Sequence, residues 1–215
     1  MSDLTAIDIL MLPDEAMHSR AEALNEEMRK SVPEGFALDA NHTPHITLLQ
    51  RYVRSDDLDG VFVEAVGGAI DAADPASLEL RGVKVAHMEV AAQPGLGLAG
   101  LVVKPSQGVL DLQAALIEAV EPFVEAGGTA DAYVTTAEEP EINQDTIDYI
   151  ERYVPDHSGG NYLAHVTVGL AKLDHLAELE SRPFDDFAFH LAGFAVFQLG
   201  NNGTAQRELR KWDVS

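Results

Sequence analysis

The stretch that decides the fold is HTPHITLL, residues 42–49. It alternates polar and apolar residues, with His45 and Thr47 interleaved by Ile46 and Leu48. Successive side chains of a β-strand point to opposite faces of its sheet. We therefore predict that His45 and Thr47 share one face, while the two apolar side chains pack into a core.

The stretch LAHVTVGL, residues 163–170, repeats this pattern. His165 and Thr167 fall two positions apart, and Val166 and Val168 supply the apolar face. The flanks of the two stretches are similar as well. They are predicted to be corresponding strands of two similar lobes, each presenting an imidazole beside a hydroxyl group.

The rest of the chain mixes strand and helix patterns. Strands are predicted at 6–12, 45–53, 78–90, 96–105, 163–170 and 187–200, with a short strand in the tail. Helices are predicted at 14–30, 56–71 with Ser55 as N-cap, 109–124, and 143–154 with Asn143 as N-cap, and a helical turn is predicted at 173–180. Hairpins dominate this order, which favours an α+β fold with antiparallel sheets over a doubly wound parallel sheet.

A glycine pattern raises one alternative. GLGLAG, residues 95–100, formally matches the G-x-G-x-x-G pattern of dinucleotide-binding proteins. A dinucleotide site needs a helix to begin at these glycines, whereas the residues that follow, LVVKP, have a strand composition. The glycines are therefore predicted to belong to a hairpin, and no cofactor is expected.

Composition sets further bounds. The 215 residues suit one large domain or one domain built of two lobes, and the lack of cysteine excludes disulfides and thiolate metal sites. The net charge of −22 opposes binding to a long polyanion such as RNA. No apolar run approaches the roughly 18 residues of a membrane span. The N-terminus has no signal-peptide pattern, so a cytoplasmic location is predicted.

The segment 128–160 runs directly into the strand that carries His165, and it is rich in acidic residues. A connection of this length in a compact domain is usually functional or disordered. One hypothesis makes it a partial lid that excludes long RNA, with Gly159 and Gly160 as a hinge. The alternative is a surface excursion without a role.

Two imidazoles on one phosphate have a clear chemical use. Opening a phosphodiester requires that one proton be removed from the nucleophile and another be given to the leaving oxygen. Imidazole can do either near neutral pH. Threonine hydroxyls can donate hydrogen bonds to the non-bridging oxygens and hold the group in line. This chemistry requires no metal ion.

HITL and HVTV resemble the paired His-x-Thr-hydrophobic motifs of the two-histidine (2H) phosphoesterase superfamily. That superfamily includes the 2′-5′ RNA ligase family and the 2′,3′-cyclic nucleotide phosphodiesterases. The opening strand ending in MLP, the hairpin before a helix and the closing FAVFQLG follow the family's order. The resemblance implies one domain over 1–215 with two pseudo-symmetric lobes of antiparallel sheets flanked by helices, an active-site cleft between them, and a possible insertion at 128–160.

The resemblance also implies a site and an activity. His45 and His165 take the catalytic positions, and Thr47 and Thr167 take the phosphate-binding positions. The expected reaction is the opening of 2′,3′-cyclic phosphates of small nucleotides or RNA ends. For hydrolysis we assign His165 as the base and His45 as the acid, with the roles reversed in ligation. A non-catalytic nucleotide- or phosphate-binding module and a 2′-5′ RNA ligase remain open, and the sequence does not give the oligomeric state.

Overall fold

The computed structural model describes residues 3–39, 42–137 and 139–214. Within these ranges the chain forms eight strands and six α-helices. The strands are β1 (Leu4–Pro13), β2 (Ile46–Arg54), β3 (Leu80–Glu89), β4 (Leu96–Pro105), β5 (His165–Lys172), β6 (Phe187–Phe189), β7 (Leu191–Leu199) and β8 (Ala205–Asp213). The helices are α1 (Glu15–Ser31), α2 (Leu58–Gly60), α3 (Gly68–Ala73), α4 (Gln107–Val120), α5 (Gln144–His157) and α6 (Leu173–Ser181).

The strands form two four-stranded sheets, one in each lobe. Their orders are β2-β1-β7-β8 and β5-β4-β3-β6, and every pairing is antiparallel. The α+β fold with two antiparallel lobes is thereby confirmed. Each motif strand lies at the edge of its own sheet, β2 in the first and β5 in the second.

The ladder between β1 and β2 contains a bulge beside the first motif. Its pairing passes from Ile9 opposite Leu49 to Leu10 opposite Thr47, so Leu48 has no partner across the ladder. A bulge leaves the extra residue outside the ladder's hydrogen bonds. The carbonyl of Leu48 therefore needs another donor.

The ladder between β4 and β5 has a bulge at the corresponding place. The pairing passes from Ala99 opposite Gly169 to Gly100 opposite Thr167, which leaves Val168 unpaired. The two motif strands thus share a backbone irregularity as well as a sequence pattern. This correspondence supports the pseudo-symmetry that the repeated motif predicts.

The apolar side chains of both motifs enter one continuous core. Ile46, Leu48, Val166 and Val168 are all fully buried and belong to the same hydrophobic cluster. The sequence prediction of an inward apolar face is confirmed for both strands. Burial of four such side chains contributes about 1.5–3 kcal/mol each and fixes the direction in which the interleaved polar residues point.

The single strand predicted over 187–200 is wrong in one respect. The chain forms β6 in the second sheet, passes through His190, and then forms β7 in the first sheet. The break has a local cause. The backbone N–H of His190 donates to the Asp14 carboxylate at 2.9 Å, and the His190 carbonyl accepts from the Asp14 N–H, also at 2.9 Å. These two bonds take the place of ladder bonds at the crossing between the lobes.

The helix predicted over 56–71 is confirmed as a helical region, but the prediction that Ser55 is its N-cap is wrong. Ser55 lies inside a 3₁₀ turn, and its hydroxyl is 2.9 Å from that of Thr5. The helical region continues through α2 and a π-helical stretch, Val61–Gly67, before α3 begins. The glycines within this region lower its α-helical propensity, which accounts for its irregular form.

GLGLAG lies in a hairpin, as predicted. Gly95 occupies the left-handed region with a φ of 89°, and β4 begins at the next residue. No helix starts at these glycines, so they cannot present a helix N-terminus to a dinucleotide phosphate. None of the described helices is long and apolar enough to cross a membrane.

Most of segment 128–160 is docked on the first sheet. Asn143 caps α5, as predicted, and accepts a hydrogen bond from the N–H of Thr146 at 2.7 Å. The helix packs against β2 and buries Ile150 and Tyr153. A second hydrophobic cluster joins the segment to the sheet; its members are Ala6, Tyr52, Ala132, Tyr133, Ile150 and Leu199.

Candidate active site

The two motif histidines lie at the start of the two edge strands. His45 directly precedes β2, and His165 is the first residue of β5. The Tyr162 hydroxyl donates to the carbonyl of Thr47 at 2.9 Å and so ties the approach to β5 onto β2. The structure therefore brings together the two motifs that the sequence analysis singled out.

Both imidazoles are held in the same way. The Nδ1 atom of His45 is 2.7 Å from the carbonyl oxygen of Thr43, and that of His165 is 2.9 Å from the carbonyl oxygen of Leu163. A carbonyl can only accept, so Nδ1 carries the proton in each ring. In both neutral imidazoles Nε2 is therefore the nitrogen with the free lone pair. This arrangement leaves each Nε2 available for proton transfer.

The environment of His45 favours its neutral form. His45 is half-buried, whereas His165 is exposed. Desolvation by burial lowers the pKa of His45, the hydrogen bond to the Thr43 carbonyl opposes this, and the charge of His165 lowers it further. Since the charge of one ring acts on the other, the two imidazoles are electrostatically coupled.

Thr47 contacts a carboxyl group that the sequence analysis did not single out. Its hydroxyl lies 3.2 Å from Oδ2 of Asp8, a residue of β1. Gln50 Nε2 donates to the same oxygen at 3.0 Å. Asp8 is completely buried, and within the described part of the chain its other oxygen, Oδ1, has no hydrogen-bond partner.

Burial dominates the electrostatics of Asp8. Desolvation raises the pKa of Asp8 to about 7, although the hydrogen bonds from Gln50 and Thr47 act to lower it. The surrounding tyrosines respond to the same carboxyl group. Burial first, and then the charge of Asp8, raise the pKa of Tyr149, Tyr153 and Tyr162. The charge of Asp8 thus reaches α5 and the chain that leads into β5.

Thr167 has a different setting in the other lobe. Among the described residues, its hydroxyl makes no hydrogen bond, and the position equivalent to Asp8 is held by Leu98. A cavity of about 110 Å³ lies beside His165 and Thr167 and has no lysine or arginine among its described lining residues. Leu163 and Met88 border it with 62% and 66% of their surface exposed.

A buried amide on α1 satisfies the bulge of β5. Asn25 Nδ2 donates to the Val168 carbonyl at 2.8 Å and to the Phe36 carbonyl at 3.0 Å. Its Oδ1 accepts from the N–H of Leu38 at 3.2 Å. The same side chain therefore holds the second motif strand and the segment that leads to the first motif.

A buried amide on α4 does the same for β2. Gln113 Nε2 donates to the Leu48 carbonyl at 3.0 Å and to the His157 carbonyl at 3.2 Å. Its Oε1 accepts from the N–H of Gly159 at 3.0 Å. The helix that follows β1 thus supplies an amide to the unpaired carbonyl of β5, and the helix that follows β4 supplies one to that of β2. These bonds fix the relative position of the two histidines through the backbone.

An aromatic column on α5 lies within electrostatic reach of Asp8. Tyr149, Tyr153 and His157 follow one another at four-residue spacing on one helical face. The ring centroid of His157 is 4.8 Å from that of Tyr149 and 5.5 Å from that of Tyr153. Desolvation lowers the pKa of His157, the charge of Asp156 opposes this, and the charge of His165 lowers it further. The column therefore lies within electrostatic reach of the second motif.

The hinge expected at Gly159 and Gly160 is not supported. Gln113 anchors the backbone at both His157 and Gly159, and Ile150 and Tyr153 are buried beneath α5. These contacts make α5 a docked wall of the site rather than a hinged flap. Within the described ranges, no three His, Asp or Glu side chains come together in a way that could hold a metal ion.

Three polar residues of the site were missed by the sequence analysis: Asp8, Asn25 and Gln113. Each has a weak sequence signal, because each is a polar residue inside an otherwise apolar pattern. Asp8 interrupts the strand AIDILML, and the two amides lie on the buried faces of their helices. A buried polar side chain needs partners, and that requirement marks such residues as candidates for a role.

Comparison with known proteins establishes the fold. Neither a protein-family model nor a curated protein sequence matches the chain. Among solved structures, TT0787 of Thermus thermophilus matches with a TM-score of 0.53 and 15% identity over 97% of both chains. E. coli LigT in apo form has a TM-score of 0.47 at 10% identity, covering 100% of this chain and 99% of its own. E. coli LigT complexed with phosphate has a TM-score of 0.43 at 11% identity with the same coverage. The chain therefore shares the fold of TT0787.

Proposed function

We propose that this chain is a phosphodiesterase that opens 2′,3′-cyclic phosphates of small nucleotides or RNA ends. His45 and His165 form the acid-base pair, and the hydroxyls of Thr47 and Thr167 bind the phosphate. The observation that carries the proposal is the matched setting of the two imidazoles. Both commit Nδ1 to a carbonyl two residues upstream and leave Nε2 free for proton transfer.

The roles of the two histidines follow from their surroundings. A base must be neutral in the free enzyme, and burial favours the neutral form of His45. We therefore assign His45 as the base that activates water and His165 as the acid that protonates the leaving ribose oxygen. This reverses the assignment made from the sequence. The roles exchange when the reaction runs towards ring closure or ligation.

The two histidines are sufficient for both proton transfers of the reaction. Water loses its proton to Nε2 of His45 as its oxygen attacks phosphorus. The bond from phosphorus to one ribose oxygen breaks, and that oxygen receives the proton from Nε2 of His165. The proton count balances, and the reaction requires one ring neutral and the other charged. The rate should accordingly be bell-shaped in pH.

The surroundings favour a small substrate. The described lining of the cavity beside His165 has no lysine or arginine, and the whole chain carries a net charge of −22. A long RNA needs cationic side chains along its backbone to offset phosphate repulsion. A mononucleotide or a short RNA end places only one or two phosphates near the site.

The direct test uses a panel of 2′,3′-cyclic mononucleotides and oligonucleotides ending in a cyclic phosphate, assayed with EDTA present. We expect ring opening of the mononucleotides by the wild type, and ring opening slower by about 10²–10⁴ in His45→Ala or His165→Ala. His190→Ala removes an exposed imidazole outside the site and is the matched control.

The same panel separates the alternatives. Saturable binding without any product would identify a binding module. Joining of oligonucleotide ends with a steep salt dependence would identify a ligase. Full turnover by both single histidine variants would remove the acid-base pair from the mechanism.

A further inference from the structure

Asp8 is a buried acid that the acid-base pair does not use. It lies between Ala6 and Leu10 on β1, on the face that α5 covers, and its exposed surface is zero. No lysine, arginine or histidine is among the groups that act on its pKa within the described residues. Asp8 contacts the uncharged side chains of Thr47 and Gln50 on β2, lies opposite Phe197 on β7, and acts by its charge on three tyrosines, Tyr149, Tyr153 and Tyr162.

The contact between Asp8 and Thr47 limits what the threonine can do. A hydroxyl has one proton to donate. When Asp8 is ionised it can only accept, so Thr47 must direct its proton at Asp8 Oδ2. The threonine then offers only lone pairs to the site, and lone pairs repel a phosphate oxygen.

Protonation of Asp8 reverses this bond. A neutral Asp8 can donate its own proton from Oδ2 to the Thr47 oxygen while Oδ2 continues to accept from Gln50. The threonine proton is then free for a substrate oxygen. The neutral form also suits Oδ1, which has no donor within the described residues and would be costly to bury as part of an anion.

We propose that Asp8 is a positioning residue of the phosphate site, whose protonation decides whether the Thr47 hydroxyl donates to Asp8 or to a substrate oxygen. The proposal rests on the proposed function for the phosphate-binding role of Thr47. Thr167, which has Leu98 in the place of Asp8, is a permanently available donor. Substrate binding at the first motif is therefore coupled to one proton, and binding at the second is not.

The raised pKa of Asp8, about 7, gives the size of the effect. The neutral fraction of such a group falls about tenfold between pH 6 and pH 8, and the apparent affinity falls with the competent fraction. Sulfate is the appropriate probe, because its charge is constant over this range whereas phosphate itself titrates. The affinity for sulfate is measured by calorimetry from pH 6 to pH 8.

We expect the wild type to lose about tenfold more sulfate affinity over this range than Asp8→Asn does. Titration of the two histidines lowers the sulfate affinity of both proteins alike, so its contribution cancels when the wild type is compared with Asp8→Asn. In a Thr47→Val background the substitution at Asp8 should leave the pH dependence unchanged. Thr47→Ser, which keeps the hydroxyl, should show the same additional loss of sulfate affinity between pH 6 and pH 8 as the wild type. Thr167→Val should show it as well.

Two results would overturn the proposal. One is equal pH dependence in the wild type and Asp8→Asn. The other is the same effect of Asp8→Asn in the Thr47→Val background, which would indicate direct repulsion between Asp8 and the anion. If Asp8→Asn fails to fold, the threonine variants test the proposal instead. The proposal stands if the extra pH dependence of sulfate affinity is lost in Thr47→Val and kept in Thr47→Ser and Thr167→Val, and it is wrong if Thr47→Val keeps it.

Turnover of 2′,3′-cyclic AMP is followed in parallel. Proton-coupled sulfate binding without turnover would overturn the proposed function and leave the role of Asp8 intact. Turnover without the coupling between Asp8 and Thr47 would overturn the role of Asp8 and leave the proposed function intact.

Discussion

The two motif strands differ less in backbone than in what surrounds them. β2 and β5 share an edge position, a bulge after the threonine, and a buried amide that satisfies the carbonyl of the bulged residue. Their side-chain surroundings diverge. In the first motif, α5 packs against β2 and Thr47 contacts Asp8 on the neighbouring strand. The second motif borders an open apolar cavity, and Leu98 holds the position equivalent to Asp8.

This difference shows how a pseudo-symmetric fold can support unlike chemical roles. Acid-base catalysis by two imidazoles needs one ring neutral while the other is charged. The shared backbone commits Nδ1 of both rings to a carbonyl oxygen, and burial favours the neutral form of His45. The shared features thus position the two rings alike, and the unshared features give them different surroundings.

The largest expected effect distinguishes the two histidines. His45→Ala and His165→Ala should each lower kcat/KM for 2′,3′-cyclic AMP by about 10²–10⁴. A diester with a p-nitrophenolate leaving group needs no acid, so His165→Ala should recover most of the wild-type rate with it, and His45→Ala should not. Rescue of His45→Ala instead would restore the assignment made from the sequence.

Asp8 should make the first lobe sensitive to pH. The pKa of Asp8 is raised from 3.8 to about 7, so the folded protein holds this proton more tightly than the unfolded chain does. The stabilisation from the neutral acid is complete below pH 4 and is lost as pH rises towards 7. Over this interval the wild type should lose about 4 kcal/mol of unfolding free energy relative to Asp8→Asn, measured by urea denaturation.

Parallel pH dependences of unfolding in the two proteins would show that Asp8 ionises at its ordinary pKa. Leu98→Asn provides the control from the other lobe. It should destabilise the protein to the same extent at every pH, because it introduces no titrating group.

Sequence patterns predicted the parts of the site that depend on local periodicity. Alternation alone placed His45 with Thr47 and His165 with Thr167, and burial of the interleaved residues confirms that reading. The strand break at His190 was missed, because it depends on hydrogen bonds to Asp14, a residue distant in sequence.

Asp8 could not be placed from the sequence for a related reason. Its contact with Thr47 depends on the register between β1 and β2, and the bulge changes that register beside the motif. A slip of one residue would turn Asp8 or Thr47 to the opposite face of the sheet. The sequence carries the residue but does not fix the pairing that gives it a partner.

The side-chain amides of Asn25 and Gln113 test the feature that the two motif strands share, a bulge whose carbonyl accepts from a buried amide. Asn25→Ala and Gln113→Ala each leave a buried carbonyl of a bulge without its donor, at a cost of about 2–4 kcal/mol in unfolding free energy. Urea denaturation should give similar losses for the two variants. Glu26→Ala and Glu118→Ala change exposed positions on the same helices and should alter stability by less than about 0.5 kcal/mol. A loss in only one of the amide variants would break the equivalence of the two lobes.

The smallest effect concerns α5, which encloses only the first motif. Deleting 131–157 would expose the cluster around Tyr52, so a point variant is the cleaner test. Tyr149 is 44% exposed on the aromatic column, and its pKa responds to Asp8. If α5 narrows the entrance, Tyr149→Ala should raise kcat/KM for cyclic-phosphate oligonucleotides by about two- to fivefold relative to mononucleotides. Tyr149→Phe keeps the ring and should behave as the wild type. An unchanged ratio in Tyr149→Ala, with stability retained, would mean that this helix supports the sheet and does not select substrates by length.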